Sequence, residues 1–211
     1  MATDVGRKQT GFLWRYTLQS IGLVLLLAAL IRFFLLSSYV MSGASMLPSV
    51  WPGDFLLAAR NSLGQPQRGQ LYVLRCPAAR ERICLRRLIG LPGDRLEFRD
   101  GRLWLNGRKI QFKSISVDFA RESFEGESWA IWPSPAEEVM KLPVVVPPGH
   151  IFVLNDKRSD SEDGRQWGPV SADLLEARPL LVWLSLDWFN SSGELRDWPR
   201  VRWARLLRRL D

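Results

Sequence analysis

From Ile21 to Met41 the chain reads IGLVLLLAALIRFFLLSSYVM, with Arg32 as its only charge. At about 1.5 Å per residue, a helix over this run is roughly 30 Å long and matches the hydrocarbon core of a bilayer. Three structures accommodate such a run: a membrane anchor, a cleaved signal peptide with the small residues Ser42-Gly43-Ala44 at its cut, or a buried core helix. The run exceeds the ~7–15-residue apolar core of a signal peptide, which favours an anchor over residues 19–41. Arg32 lies past the middle, where its stem reaches the far interface. Arg7, Lys8 and Arg15 precede the run. The positive-inside rule therefore predicts a cytoplasmic segment over residues 1–18 and an extracytoplasmic domain over 42–211, in a single-pass protein of the cytoplasmic membrane.

The formal net charge of +7 suggests nucleic-acid binding until the charges are located. Residues 1–18 carry +2, Arg32 adds one, and residues 196–211 hold six arginines against Asp197 and Asp211. Between residues 33 and 195 the 19 basic and 19 acidic residues balance, so no basic face is available for nucleic acid. Two cationic ends around a neutral body suit an anionic lipid surface, and ten tryptophans suit a wet interface. The last residues, with Trp203, Leu206, Leu207 and Leu210 at helical spacing among arginines, read as an amphipathic helix on the membrane or as a segment packed on the domain. Packing is the favoured reading.

Beyond residue 41 the pattern changes to short apolar runs separated by Pro-Gly, Asp-Gly and Asn-Gly turns, the punctuation of antiparallel sheet. Strands are expected at Asp54–Ala58, Leu71–Cys76, Ile83–Ile89, Arg95–Phe98, Leu103–Leu105, Val144–Val146, Ile151–Leu154 and Arg178–Leu184. Asn106-Gly107 fits a two-residue hairpin. The predicted fold is mainly β, an anchor helix followed by an antiparallel β-rich domain. The stretch 108–142, rich in Ser, Glu and Trp with Pro133 and Pro135, is expected to be a cap insertion with weak regular structure.

Cys76 and Cys84 flank a short polar turn. They form a disulfide if the flanking strands pair in the right register, and otherwise remain free thiols. The single histidine, His150, has no second His with which to build a metal set, so its expected role is structural. No metal or cofactor is predicted.

The segment Met41-Ser-Gly-Ala-Ser-Met-Leu-Pro48 places Ser45 in an uncrowded turn, where a hydroxyl and a backbone amide reach one acyl group together. Four further segments follow in order: Trp51-Pro-Gly-Asp54, Arg68-Gly through Cys76-Pro77, Arg86-Arg-Leu-Ile-Gly-Leu-Pro-Gly-Asp94, and Asn155-Asp-Lys-Arg-Ser-Asp-Ser-Glu-Asp-Gly-Arg165 with Trp167-Gly168. Together with the anchor and the Arg- and Trp-rich end, this order resembles the bacterial type I signal peptidases, membrane-anchored serine endopeptidases that release exported proteins from their signal peptides. The resemblance runs over essentially the whole chain. It implies a signal-peptidase-like catalytic domain, the signal peptides of exported preproteins and the lipid bilayer as partners, and small residues preferred at the first and third positions before the cut.

The resemblance also implies roles. Ser45 matches the nucleophile, and its backbone N–H forms part of the oxyanion hole; Gly43 occupies the position from which some members add a hydroxyl to that hole. Met46 and Pro48 belong to the same motif, Asp94 closes the turn after the base strand, and Ser161, Asp163 and Arg165 match the supporting loop. An Asp163–Arg165 pair would orient the site by charge-assisted hydrogen bonds.

The match breaks at Arg86, which stands where the family has its general-base lysine. Burial lowers a lysine's pKa toward neutrality, whereas a guanidinium stays protonated, so Arg86 does not take Ser45's proton. Asn155, Lys157 and Gly164 replace the family's Gly, Asn and Ser. Three readings follow: a recruited base (Lys157, Lys113, Lys141 or His150), an inert homologue that binds signal peptides or a partner peptidase, or a slow enzyme using Ser45 with water or substrate assistance.

Overall fold

The computed structural model describes residues 14, 16–27, 35–60, 64–99, 102–134, 143–160, 162–189 and 195–210. The chain divides into two compact units, 1–37 and 38–211. In the first, residues 16–27 form helix α1. Its apolar side chains, Leu18, Ile21, Leu23, Val24, Leu25, Leu26 and Leu27 among them, are exposed on every face. No helix among the described residues is long and apolar enough to cross a membrane. The predicted span 19–41 is therefore corrected in its second part, where Leu36–Val40 is strand β1. Its sequence, LSSYV, carries hydroxyl, aromatic and β-branched residues that suit a half-buried edge strand better than a lipid-facing helix. Arg32 falls at 28–34, outside the described residues.

The second unit is antiparallel β, as the turn punctuation predicts. After β1 come β2 (Asp54–Arg60), β3 (Leu71–Cys76), β4 (Ala79–Gly90), β5 (Arg95–Arg99), β6 (Arg102–Leu105), β7 (Arg108–Lys109), β8 (Gln111–Ser114), β9 (Ala120–Phe124) and β10 (Glu127–Ile131). Then follow β11 (Val144–Val145), β12 (His150–Leu154), the one-turn helix α2 (Gly164–Trp167), β13 (Val170–Ser171), β14 (Leu175–Phe189), β15 (Leu195–Val201) and β16 (Arg208–Arg209). The main sheet has the order β1-β2-β14-β3-β4-β12-β13, with β15 and β16 also on β14. Its central strands are apolar on both faces. Leu71 and Val73 of β3 enter a core with Met46, Leu56 and Val182, while Tyr72 and Leu74 enter a second core with Cys84, Leu88 and Val153. Period-two alternation thus lets one strand hold together two layers.

Asn106 and Gly107 both have positive φ, 53° and 75°, the two left-handed residues of a type I′ hairpin turn joining β6 to β7. The stretch 108–142 departs from expectation. Its described part is regular: β8, β9 and β10 form a three-stranded antiparallel sheet whose Trp129, Phe124 and Ile131 close a third core against Leu96, Leu105 and Phe152. Indole burial supplies the apolar contact that the polar outer faces of these strands concealed. The chain's end packs rather than forming an amphipathic helix: β15 and β16 lie on β14, and Arg205 and Leu210 are buried.

Candidate active site

Ser45 lies in the turn between β1 and β2, and the turn is anchored by what surrounds it. Met46 and Val50 are fully buried in the core beneath. The Val50 N–H donates to the Met46 carbonyl at 2.9 Å and the Leu47 N–H to Ala44 at 3.1 Å, which closes the turn on itself; the Leu47–Pro48 peptide is cis. Ser45 is left half-buried at the top, and its carbonyl accepts the Lys157 N–H at 2.9 Å. That bond ties the serine turn to the loop 155–163.

Two arginines hold the turn from below. Arg87 is 1% exposed and forks onto Asp156, Nε to Oδ1 and Nη2 to Oδ2, both at 2.7 Å. Nη2 also donates to Ser49 Oγ at 2.9 Å and Nη1 to the Gly69 carbonyl. Arg205 forks onto Asp54, with Nε at 3.0 Å from Oδ1 and Nη2 at 2.5 Å from Oδ2, and donates to the Ser49 carbonyl at 3.1 Å. A bidentate arginine–carboxylate pair fixes geometry as well as charge. Each pair here reaches the segment four residues after Ser45.

Arg86 follows the alternation of β4 to the opposite side from Arg87. Its Nε and Nη2 donate to the Glu162 carbonyl at 3.0 and 2.7 Å, its Nη1 donates to Leu85 at 2.7 Å, and its guanidinium lies 5.2 Å from the Trp167 ring centroid. Burial lowers its pKa from the ordinary arginine value, and the nearby Asp163, Glu162 and Asp160 oppose that shift. A guanidinium in this setting has N–H groups to give and no lone pair to accept a proton.

Ser45, Gly43 and Arg86 line one groove of about 720 Å³, together with Asn155, Asp160 and Glu162. The loop behind it is set by Asp163, fully buried, whose carboxylate accepts the Asn155 N–H at 2.9 Å, the Arg165 N–H at 2.9 Å and Arg165 Nη2 at 2.8 Å. Arg165 then donates from Nη1 to the Arg158 carbonyl at 2.7 Å and from Nη2 to the Asp160 carbonyl. Ser161 lies outside the described residues. Asp94 is not in the groove's lining. It closes its own turn by accepting from Arg68 at 2.8 Å, the Leu91 N–H at 2.6 Å and Asn106 at 2.7 Å. Burial alone would raise its pKa, but these three donors outweigh it and hold the carboxyl below its ordinary value.

The departures from the family pattern differ in weight. Gly164 is required by packing, because a Cβ there would sit 2.6 Å from the Val153 carbonyl. Asn155 Nδ2 donates to the Asp160 carbonyl at 3.0 Å. Lys157 reaches Asp160 with Nζ at 3.4 Å from Oδ1. Of the other candidate bases, Lys113 is exposed on β8, and His150, at the half-buried start of β12, bonds the Pro148 carbonyl through Nδ1 at 3.0 Å. Lys141 falls outside the described residues. Of these residues, Lys157 is the one whose backbone is shown bonded to Ser45.

Sequence reasoning missed Arg87, Asp156, Asp54 and Arg205. The first three sit inside or beside the quoted motifs, and a charged residue within an apolar run, such as Arg87 before Leu88-Ile89, is the signal that marks a buried pair. Arg205 carried no such signal, since its surroundings are arginine-rich.

A family model described as signal peptidase, peptidase S26, matches residues 14–184. The signal peptidase I of Bacillus caldolyticus is 32% identical over 156 residues, covering 67% of this chain and 76% of that protein. Signal peptidase I T of Bacillus subtilis is 32% identical over 149 residues, 70% of this chain and 72% of its own. The Pseudomonas fluorescens signal peptidase I is 26% identical over 197 residues, with 77% and 69% covered. A solved signal peptidase I from Enterococcus faecalis is 27% identical and covers 56% of this chain and 98% of that one, at a TM-score of 0.39. With the family model spanning most of its length, the chain belongs to the signal peptidase family, peptidase S26.

Proposed function

We propose that this protein engages the signal peptides of exported preproteins in the Ser45 groove, as a signal peptidase I-type serine endopeptidase whose turnover is slowed by Arg86. Ser45 attacks the carbonyl after a small residue, and the resulting acyl-enzyme is hydrolysed by water. The observation that carries the reading is the state of Arg86: among the described residues every hydrogen bond it makes is a donation to a carbonyl, and a guanidinium has no lone pair with which to take the Ser45 proton. Losing an activating base costs about 10²–10⁴-fold in rate.

The domain works on the extracytoplasmic side of the membrane. The disulfide between Cys76 and Cys84, with Cα atoms 5.4 Å apart, favours an oxidising compartment. The exposed apolar run of α1 from Ile21 to Leu27, preceded by basic residues, favours an N-in anchor. Exposed indoles at Trp198 and Trp203 suit a lipid interface.

A second reading has one observation in its favour. The Lys157 N–H holds the Ser45 carbonyl, and its ammonium pairs with Asp160, a residue that lines the groove, so a lysine released from that ion pair supplies a base. Cleavage of a signal-peptide-bearing precursor by the full chain in lipid, compared with Ser45→Ala and Lys157→Ala, tests both. Slow cleavage abolished by Ser45→Ala supports the nucleophile. Loss in Lys157→Ala supports the recruited base, and cleavage unaffected by Ser45→Ala contradicts the proposal.

A further inference from the structure

Arg86 is a buried cation without an acid of its own. The carboxylates around it are committed elsewhere: Glu162 to Arg82 at 2.5 Å, Asp163 to Arg165 at 2.8 Å, and Asp160 to Lys157 at 3.4 Å. Among the described residues none lies within ion-pair distance of Arg86, whose only partners are the Glu162 and Leu85 carbonyls and the Trp167 ring. Each terminal nitrogen of a guanidinium bears two N–H groups, so Nη1 and Nη2 retain one apiece beyond the bonds they make. A charge with spare donors, 4% exposed and lining the groove with Ser45, matches an anion of fork geometry.

From this we infer that the Ser45 groove is a receptor for peptide C-terminal carboxylates, selecting a released signal peptide or another chain ending in small residues over the same sequence continued as an amide. The inference rests on the proposed binding of signal peptides in this groove. A lysine base must be neutral to work and would offer such a terminus no charge, whereas Arg86 is charged at every physiological pH. The carboxylate replaces the scissile carbonyl beside Ser45, its charge completes Arg86, and low exposure strengthens the pair. The substitution that removes a base thereby creates a site for the reaction's product.

Calorimetric titration of the full chain in detergent decides this, with two synthetic peptides of one signal-peptide sequence, small at the first and third positions from the end. One carries a free C-terminal carboxylate and the other a C-terminal amide. The acid form is expected to bind about tenfold or more tightly than the amide, and Arg86→Gln to equalise them. Arg86→Lys, whose amine is neutral when it serves as the base, should likewise lose the preference and serves if Arg86→Gln does not fold. Equal binding of the two peptides to the wild type, or a preference unchanged in both variants, overturns the inference and leaves the groove reading intact. Failure of both peptides to bind overturns both.

Discussion

The guanidinium of Arg86 donates twice to the backbone carbonyl of Glu162, from Nε at 3.0 Å and from Nη2 at 2.7 Å. A lysine, with a single nitrogen, has no planar fork with which to place two nitrogens on that carbonyl. The loop 155–163 therefore leans on Arg86 as a structural prop, at the position that the family resemblance assigns to a general base.

Arg87 is expected to be the most costly single site in the groove's foundation. Arg87→Ala leaves Asp156 buried and unpaired and frees Ser49, a change worth about 3–5 kcal/mol. Denaturant unfolding of the full chain in detergent gives the value. A loss below 1 kcal/mol contradicts the network described for Asp156 and Ser49.

Two glycines of the serine turn should respond in opposite ways. Gly53 has φ of 86°, and a Cβ would lie 2.0 Å from the Leu186 carbonyl, so Gly53→Ala is expected to destabilise by more than about 1 kcal/mol. Gly43 has no atom within 4 Å of a Cβ, so Gly43→Ser should leave the melting temperature unchanged.

The same Gly43→Ser change has a kinetic outcome. It restores the hydroxyl that the family resemblance implies for the oxyanion hole, a donor worth up to about 10²–10³ in kcat. Measured in an Arg86→Lys background, where chemistry is no longer limited by the missing base, turnover should rise with KM little changed.

Asp94 should contribute to acid sensitivity. Its folded pKa lies below its unfolded value, so its stabilisation is present above the ordinary carboxylate pKa and is lost as pH falls through the folded value. The stability gap between wild type and Asp94→Asn is accordingly expected to be full at pH 7 and to shrink below about pH 4. A gap that grows on acidification contradicts the assigned sign.

Local chemistry made much of this protein legible in its sequence. Asn106-Gly107 announces its hairpin because few other residues adopt positive φ twice in succession, and the β3 and β4 strands announce themselves as β-rich runs between Gly and Pro. Ser45, Gly43 and Arg86, singled out from the order of the motifs, line one groove. What stayed hidden depended on distant partners. Arg205 reads as a solvated arginine until Asp54, 151 positions earlier, takes it into the interior. The sheet β8–β10 reads as irregular because its strands are short, polar outside, and held by the burial of Trp129. Strand β1 was read as the end of a helix because an apolar run alone does not distinguish a span from an edge strand.

Turnover by this protein is governed by Arg86. Single-turnover cleavage of a signal-peptide-bearing precursor by the full chain in lipid should show slow, Ser45-dependent hydrolysis in the wild type and a rise of about 10²-fold or more in Arg86→Lys. Wild-type cleavage that is fast, and that Arg86→Lys lowers or leaves unchanged, would contradict it.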